Sequence, residues 1–253
     1  PELPEVEITA RRLATALAGA EVESALAPGM VALKSVKPPL DALTGREIVG
    51  VRRVGKMPIV EFGGAKGDRL ALLVHLMSAG RLQLFSERAS LRDRRSRVLV
   101  RLTDGRELRL REFGTKQRAW AKLLDDADVS ADDMIATLGP EAWPAPSLAE
   151  LGAALDTTGH LHSLLRNQRV IAGIGRSWVD EILWEAKLSP FKKAADLDAA
   201  ELEALHDALG VLGDHLLGQF AVAVAERLDG RNDRLFGHRT EQENLVGELS
   251  EPV

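Results

Sequence analysis

The pattern of apolar residues changes character once along this chain, and that change limits the folds available to it. Between about residues 21 and 112, short β-type runs occur at Ile48–Val54, Ile59–Phe62, Leu70–Leu76, Arg81–Phe85, Val98–Leu102 and Glu107–Arg111. Thr103-Asp104-Gly105-Arg106 is a hairpin-turn sequence between the last two runs. Beyond about residue 117, apolar residues follow helical spacing through Leu228. The pattern predicts an α+β protein, with an antiparallel β domain followed by an all-helical domain.

A helix is predicted ahead of the β domain. Pro4 suits a first helical turn, and Ile8, Leu13 and Leu17 follow helical spacing. We predict the domain limits as residues 1–120 for the β domain and 128–228 for the helical domain, with a linker near 117–131 and a tail over 229–253.

Composition excludes several classes of protein. Of the 253 residues, 45% are hydrophobic and 28% are charged, which is typical of a globular protein, and no apolar run approaches the roughly 20 residues of a membrane span. The chain has no cysteine, so disulfides and thiolate-bound metals are excluded. Its start is acidic and amphipathic, unlike a signal peptide. We expect a cytoplasmic monomer with no membrane partner, metal or cofactor.

Charge is distributed unevenly. The net charge is -5, yet the stretch from Arg88 to Arg118 contains ten arginines and one lysine against four acidic residues. Such a stretch can bind phosphates of a nucleic acid by releasing counterions. It can equally be a solvated strand face whose charges are paired, and the sequence alone leaves both interpretations open.

The first residues can supply a reactive group. Once an initiator methionine is removed, Pro1 carries a free secondary amine, a nucleophile able to form an iminium with a carbonyl carbon. Glu2 and Glu5 provide carboxylates of the kind that general acid catalysis requires. The dipole of the predicted helix disfavours protonation of the amine. The alternative is that Pro1 is a small residue left exposed when methionine is removed.

The helical half contains a glycine-rich turn between two predicted helices, within Leu164–Leu183. Gly173 and Gly175 allow the backbone to approach a ligand closely, and amides at the start of the second helix can hold a phosphate. Arg176 adds a cation at that point. Turns of this kind are also common where helices only pack tightly, so this segment does not by itself establish phosphate binding.

Several segments together resemble the formamidopyrimidine-DNA glycosylase and endonuclease VIII family of base-excision repair enzymes. They are PELPEVE at the start, HLMSAG at His75–Gly80, REFGT at Arg111–Thr115, LGPE at Leu138–Glu141 and AGIGRSWVDEIL at 172–183, in that family's order and approximate spacing. The resemblance covers about residues 1–228. It implies a β-sandwich and a helix-two-turn-helix domain, with damaged double-stranded DNA bound between them.

The resemblance also implies roles for individual residues. Pro1 matches the nucleophile that attacks C1′ of the damaged nucleotide, expels the base and leaves an iminium that undergoes β- and δ-elimination. Glu2 matches the acid that assists opening of the sugar ring, and Glu5 lies in the same motif. Lys56 matches a strand lysine that reaches the phosphate or sugar of the lesion. The DNA contacts implied in this way are His75, Met77, Ser78, Arg111, Phe113, Asn167, Gly175 and Arg176.

Arg111 and Phe113 match residues that fill the gap left by an everted nucleotide. The third gap-filling residue of the family is usually methionine, whereas this chain has Ser78 at that position and Met77 one residue earlier. Arg176 replaces the asparagine usual after the glycine turn.

The C-terminal end departs further from the family. Leu235–Thr240 resembles the approach to the family's four-cysteine zinc finger, but no cysteine follows, so that finger is excluded. The short connection from Leu228 to Leu235 does not support 8-oxoguanine as the substrate.

The leading hypothesis is a bifunctional DNA glycosylase and abasic-site lyase. One alternative is a protein of the same fold that binds lesions or abasic sites with weak or no excision. In that case, Ser78 and the missing finger would weaken insertion of side chains into the duplex and binding of DNA. Another is an enzyme that uses Pro1 as a general base on a small molecule, as N-terminal proline tautomerases do.

Overall fold

Two four-stranded antiparallel sheets pack together in the N-terminal half of the protein. The structure is a computed structural model that describes residues 1–228 apart from Met30 and Leu91. Its strands are β1 (Val22–Leu26), β2 (Glu47–Val54), β3 (Met57–Gly63), β4 (Arg69–His75), β5 (Gly80–Phe85), β6 (Ser96–Leu102), β7 (Glu107–Glu112) and β8 (Trp120–Asp125). The sheet orders are β1-β6-β7-β5 and β2-β3-β4-β8. The predicted α+β fold with an N-terminal β-sandwich is confirmed.

The sheet β2-β3-β4-β8 is buried on both faces. Phe62 and Leu72 belong to the core between the two sheets, whereas Ile59 and Leu73 pack with Val129 in a separate cluster. Successive side chains of a strand point to opposite faces, so burial of both faces makes a strand a nearly continuous apolar run. This explains why the runs of β3 and β4 lack an alternation of polar and apolar residues.

The first helix, α1 (Leu3–Leu17), joins the two halves of the protein. Val6 and Leu13 pack in the core of the sandwich, whereas Leu3 and Ile8 belong to the core of the helical domain. Pro4 lies in the first turn, where its missing N–H costs no hydrogen bond. The N-terminus is therefore held at the junction of two hydrophobic cores.

The helical domain is built around the predicted glycine turn. Its helices are α2 (Asp133–Ala136), α3 (Leu148–Leu155), α4 (Leu161–Leu165), α5 (Arg176–Glu185) and α6 (Ala199–Leu228). The turn joins α4 to α5, and its Ile171 and Ile174 are fully buried. No helix in the described part of the chain is both long and apolar enough to span a membrane.

The linker predicted near residues 117–131 is wrong. Residues 120–125 form β8, which pairs with β4 from Leu70 opposite Asp125 to His75 opposite Trp120. A run this short does not distinguish strand from helix by its spacing alone. The predicted domain limits, 1–120 and 128–228, thus leave most of a sandwich strand between them. β1 is also absent from the predicted strands, and the tail over 229–253, including Leu235–Thr240, lies outside the described residues.

Candidate active site

The amine of Pro1 lies at the domain junction, directly before α1. Burial and the guanidinium of Arg81 lower the pKa of the Pro1 amine below its ordinary value of 8.0, while Glu5 and Glu2 oppose that shift. The Glu5 carboxylate accepts the backbone N–H of Glu2 at 2.9 Å, which fixes the chain as it enters the helix. A lowered pKa increases the neutral, nucleophilic fraction of the amine at a given pH.

The carboxylate of Glu2 is held by the helical domain. One of its oxygens accepts the N–H of Ser177 at 2.8 Å, and the other accepts the N–H of Trp178 at 3.2 Å. These amides lie in the first turn of α5, where unpaired N–H groups favour a negative charge. A Cβ at Gly175 would lie 2.3 Å from Cδ of Glu2. In the structure, the Glu2 carboxylate therefore accepts the hydrogen bonds of the amides that the sequence analysis predicts as a phosphate site.

Lys56 reaches the same turn from the sandwich. It follows Gly55 in the hairpin turn between β2 and β3, and its Nζ donates to the carbonyl of Ile174 at 2.9 Å. Burial lowers the pKa of Lys56, the Glu2 carboxylate opposes that shift, and Arg166 adds to it. Lys56 in turn contributes to the lowered pKa of the Pro1 amine. Pro1, Glu2 and Lys56 therefore form one electrostatically coupled group.

Gly173 and Gln168 build the turn that receives these side chains. Gly173 has a φ of 105°, and a Cβ there would lie 2.3 Å from the side chain of Leu3. Its carbonyl accepts the N–H of Leu3 at 3.0 Å. Gln168 accepts the N–H of Gly173 at 3.0 Å and donates to the carbonyl of Ile174 at 2.8 Å. The glycine turn and the start of α1 are thus bonded directly to each other.

The predicted gap-filling residues lie together at one end of the sheet β1-β6-β7-β5. Because β5 pairs with β7, the loop before β5 adjoins the end of β7, and the N–H of Phe113 donates to the carbonyl of Ala79 at 3.2 Å. Met77 and Ser78 lie in that loop and are exposed, as is Phe113. Met77 has a φ of 50°, a left-handed conformation that is uncommon outside glycine.

Arg111 lies beside Phe113. Its guanidinium is 5.0 Å from the centre of the Phe113 ring and 5.4 Å from that of Phe85. Its Nε is buried without a hydrogen-bond partner in the described part of the chain, although Asp93 lies 3.7 Å away. The pair Arg111 and Phe113 therefore presents a cation and an exposed ring at one place.

His75 connects this loop to the group around Pro1. Its ring stacks on Trp120 with 5.2 Å between ring centres, and its Nδ1 accepts the N–H of Met77 at 3.2 Å. Burial and the nearby Lys56 lower the pKa of His75. A neutral ring that accepts at Nδ1 carries its proton on Nε2, where it can donate to an oxygen of a ligand.

Asn167 and Arg176 flank the glycine turn and are exposed. The side-chain oxygen of Asn167 accepts the N–H of Arg169 at 3.1 Å, which shapes the end of α4. Arg176 is the first residue of α5. Both side chains are therefore accessible to a ligand, whereas Gly175 is buried against Glu2.

The arginine-rich stretch divides into two groups. Arginines of the strands are paired with carboxylates; for example, Arg101 and Arg109 both bind the buried Glu107. Cations in the loops on either side of β6 and β7 are exposed and have no carboxylate partner among the described residues. These loop cations are Arg92, Arg94, Arg95, Lys116 and Arg118. The paired interpretation therefore holds for the strands, whereas the exposed loop cations are the ones that the phosphate-binding interpretation requires.

The structure thus brings Pro1, Glu2 and Lys56 together and buries Gly175 against Glu2. His75 and Arg111 are half-buried, and the exposed predicted residues are Met77, Ser78, Phe113, Asn167 and Arg176. The sequence analysis missed Arg81 and Gln168. Neither lies at a position with a distinctive motif, and each acquires its role only through chain segments that meet in three dimensions. The carboxylate of Glu5 contacts the backbone N–H of Glu2.

Two domain families match the chain. Residues 1–116 match the formamidopyrimidine-DNA glycosylase N-terminal domain, and residues 138–215 match the formamidopyrimidine-DNA glycosylase H2TH domain. The formamidopyrimidine-DNA glycosylase of Roseiflexus sp. (strain RS-1) is 35% identical over 216 residues, covering 83% of this chain and 75% of the relative. That of Moorella thermoacetica is 29% identical over 257 residues, covering 100% of this chain and 90% of the relative.

Solved structures of the same group share the fold. The complex of wild-type Lactococcus lactis Fpg (MutM) with DNA containing N7-benzyl-Fapy-dG matches with a TM-score of 0.75 at 26% identity, over 85% of this chain and 79% of that chain. A complex of Lactococcus lactis Fpg with DNA containing an abasic site matches with the same TM-score and identity, over 85% and 78%. The chain belongs to the formamidopyrimidine-DNA glycosylase family of DNA-repair enzymes.

Proposed function

We propose that this protein is a bifunctional DNA glycosylase and abasic-site lyase that uses the amine of Pro1 as its nucleophile. The observation that carries the proposal is the environment of that amine, whose pKa is lowered by burial and which lies beside Glu2 and Lys56 at the domain junction. The substrate is damaged double-stranded DNA. The protein is proposed to act on it as a monomer.

In the first step, the neutral nitrogen of Pro1 attacks C1′ of the damaged nucleotide, and the bond between C1′ and the base breaks; the base leaves with the electron pair of that bond and takes a proton from water. Glu2 takes the proton that the nitrogen carried and returns it to O4′ as the bond between C1′ and O4′ opens. The product is an iminium between Pro1 and C1′. Both oxygens of Glu2 accept N–H groups of α5, which holds its side chain in place for this proton transfer.

Strand cleavage follows from the iminium. The positive nitrogen acidifies the C2′ proton, and loss of that proton expels the 3′ phosphate by β-elimination. A second elimination expels the 5′ phosphate, and water then hydrolyses the imine and frees Pro1. Lys56 contacts the phosphate or sugar of the lesion, because its ammonium lies within the group around Pro1.

Two exposed apolar side chains support eversion of the damaged nucleotide. Phe113 is 49% exposed and Met77 is 36% exposed, although both are large and apolar. Inserted beside Arg111, these side chains fill the gap that an everted nucleotide leaves in the duplex. Arg176 and the loop cations then contact phosphates on either side of the gap.

Borohydride trapping tests the proposal. The protein with Pro1 at its terminus is incubated with a duplex that contains one abasic site, and sodium borohydride reduces any iminium to a stable amine adduct. We expect an adduct with the native start and none after extension by one residue. Pro4→Ala is the control, since it changes a proline in the first turn of α1 but leaves the Pro1 amine free. Absence of an adduct from the native protein would refute the lyase activity.

A second function, binding of lesions or abasic sites without excision, is favoured by Ser78 in the gap-filling loop, where the family usually has methionine. The same experiment separates the two functions. A protein that binds the abasic duplex tightly but yields no adduct is a binder, whereas an adduct that depends on a free Pro1 amine identifies the enzyme.

A further inference from the structure

A buried arginine, Arg53, joins the two domains three residues before Lys56 in the sequence. The side chain of Arg53 is only 5% exposed. Its Nε donates to Glu7 at 2.7 Å, its Nη1 to Glu141 at 2.5 Å and its Nη2 to the carbonyl of Trp143 at 2.7 Å. Glu7 lies on α1, while Glu141 and Trp143 belong to the segment between α2 and α3. One guanidinium therefore ties the sandwich, the first helix and the helical domain together.

The same groups hold the turn that carries Lys56. The second oxygen of Glu141 accepts the backbone N–H of Gly55 at 2.6 Å, and Nη1 of Arg53 also donates to the carbonyl of Gly55 at 3.2 Å. Gly55 has a φ of 56°, a conformation that a side chain would strain. Both polar backbone groups of Gly55 are thus fixed by Arg53 and Glu141, and Lys56 follows immediately.

The charges of this cluster are balanced unevenly. Arg53 has two carboxylate partners, so it keeps the charge of Glu7 when Glu141 is made neutral. Removing one member of a buried ion pair is most costly when the remaining charge is left alone. Glu141→Gln therefore weakens the hydrogen bonding that holds Gly55, while the Arg53 guanidinium keeps Glu7 as its partner. This makes it a milder probe than any change at Arg53.

We propose that Glu141 and Arg53 are positioning residues that hold the turn of Gly55 so that Lys56 stays beside Pro1 and Glu2. The proposal rests on the proposed function, since the position of Lys56 affects a rate only if the site reacts with DNA. It assigns to the segment between α2 and α3 a part in the reaction, although none of its residues lies in the group around Pro1.

The experiment compares Glu141→Gln with Glu61→Gln. Glu61 is a matched control because it lies on β3 of the same hairpin and binds Nε of Arg52 at 2.7 Å, with no contact to Gly55. The rate of adduct formation is measured in single turnovers with abasic DNA saturated by protein, after titration of the binding-competent fraction. The dissociation constant of the same duplex is measured in parallel.

We expect Glu141→Gln to lower the single-turnover rate by about 10- to 100-fold, as displacement of a catalytic group by about 1 Å does. The dissociation constant should change by less than about threefold, and Glu61→Gln should change neither quantity. Because the rate refers only to protein that binds DNA, partial unfolding of a variant does not lower it.

A double-mutant cycle with Lys56→Met gives a result that a merely structural role would not produce. If Glu141 acts through Lys56, the rate effect of Lys56→Met shrinks in the Glu141→Gln background. Independent, multiplicative effects of the two changes would overturn the proposal, as would a wild-type rate in Glu141→Gln. If the wild-type protein forms no adduct, the proposed function itself has failed; if it does and the variant equals it, only the positioning role has failed.

Discussion

Replacing Gly175 with alanine would place a methyl group where the carboxylate of Glu2 now lies. The new Cβ would be 2.3 Å from Cδ of Glu2 and 2.6 Å from both Cγ and Oε1. Atoms that are not bonded pack at about 3.5–4.0 Å, so the carboxylate must move by roughly 1 Å or more. It cannot then keep both the 2.8 Å bond from Ser177 and the 3.2 Å bond from Trp178.

The size of the effect follows from those two hydrogen bonds. A hydrogen bond to a charged group contributes about 1.5–3 kcal/mol. Ser177 is exposed, so water can replace its bond, whereas Trp178 is half-buried and loses its partner. We therefore expect the free energy of unfolding to fall by about 1.5–3 kcal/mol. For a protein of this size, Tm should fall by about 3–12 °C.

Urea denaturation of Gly175→Ala in two backgrounds tests this reasoning. Glu2→Ala removes the atoms that the methyl group meets, so Gly175→Ala should then cost at most about 1 kcal/mol, the preference of a helix N-cap for glycine over alanine. Gly210→Ala is the control, because it has open space in α6 and should stabilise the protein by about 1 kcal/mol. Equal losses from Gly175→Ala with and without the Glu2 side chain would refute the proposed contact.

Two further predictions concern charge. Because burial and Arg81 lower the pKa of the Pro1 amine, the rate of adduct formation should rise with pH through a midpoint below 8.0 as the amine loses its proton. Arg81→Gln removes a cation and should move that midpoint upward; an unmoved midpoint in the pH profile would exclude the interaction. Replacing both Arg94 and Lys116 with serine should reduce the slope of log affinity against log salt by about 1.8 for two lost phosphate contacts. Arg69→Ser, in the other sheet, should leave the slope unchanged, and an unchanged slope in the double variant would place the loops outside the DNA interface.

Much of the fold could be predicted because it is determined locally. The hairpin between β6 and β7 follows from Thr103-Asp104-Gly105-Arg106, in which Gly105 adopts a φ of 92°. The first helix follows from Pro4 and the spacing of the apolar residues behind it. In each case, a backbone conformation depends on residues within one turn or one strand, so the sequence contains the necessary information in a short window.

The candidate site could be predicted only in part, because its contacts join distant segments. Glu2 and Ser177 are 175 positions apart, and Arg53 and Glu141 are 88 positions apart. No periodicity or turn preference relates such positions. The resemblance to a known family named Pro1, Glu2 and Lys56, but it did not identify what holds them in place.

The glycine turn shows what the three-dimensional contacts add to the motif. The sequence analysis predicts that the two glycines allow a ligand to approach the backbone closely. In the structure, a side chain at Gly173 would collide with Leu3, and a side chain at Gly175 would collide with Glu2. Both glycines are therefore required by the start of α1, which packs against this turn. Arg176 begins α5 directly after the turn and precedes Ser177, whose amide holds Glu2, so the proposed contact of Arg176 with DNA and the placement of the proposed proton carrier depend on the same helix end.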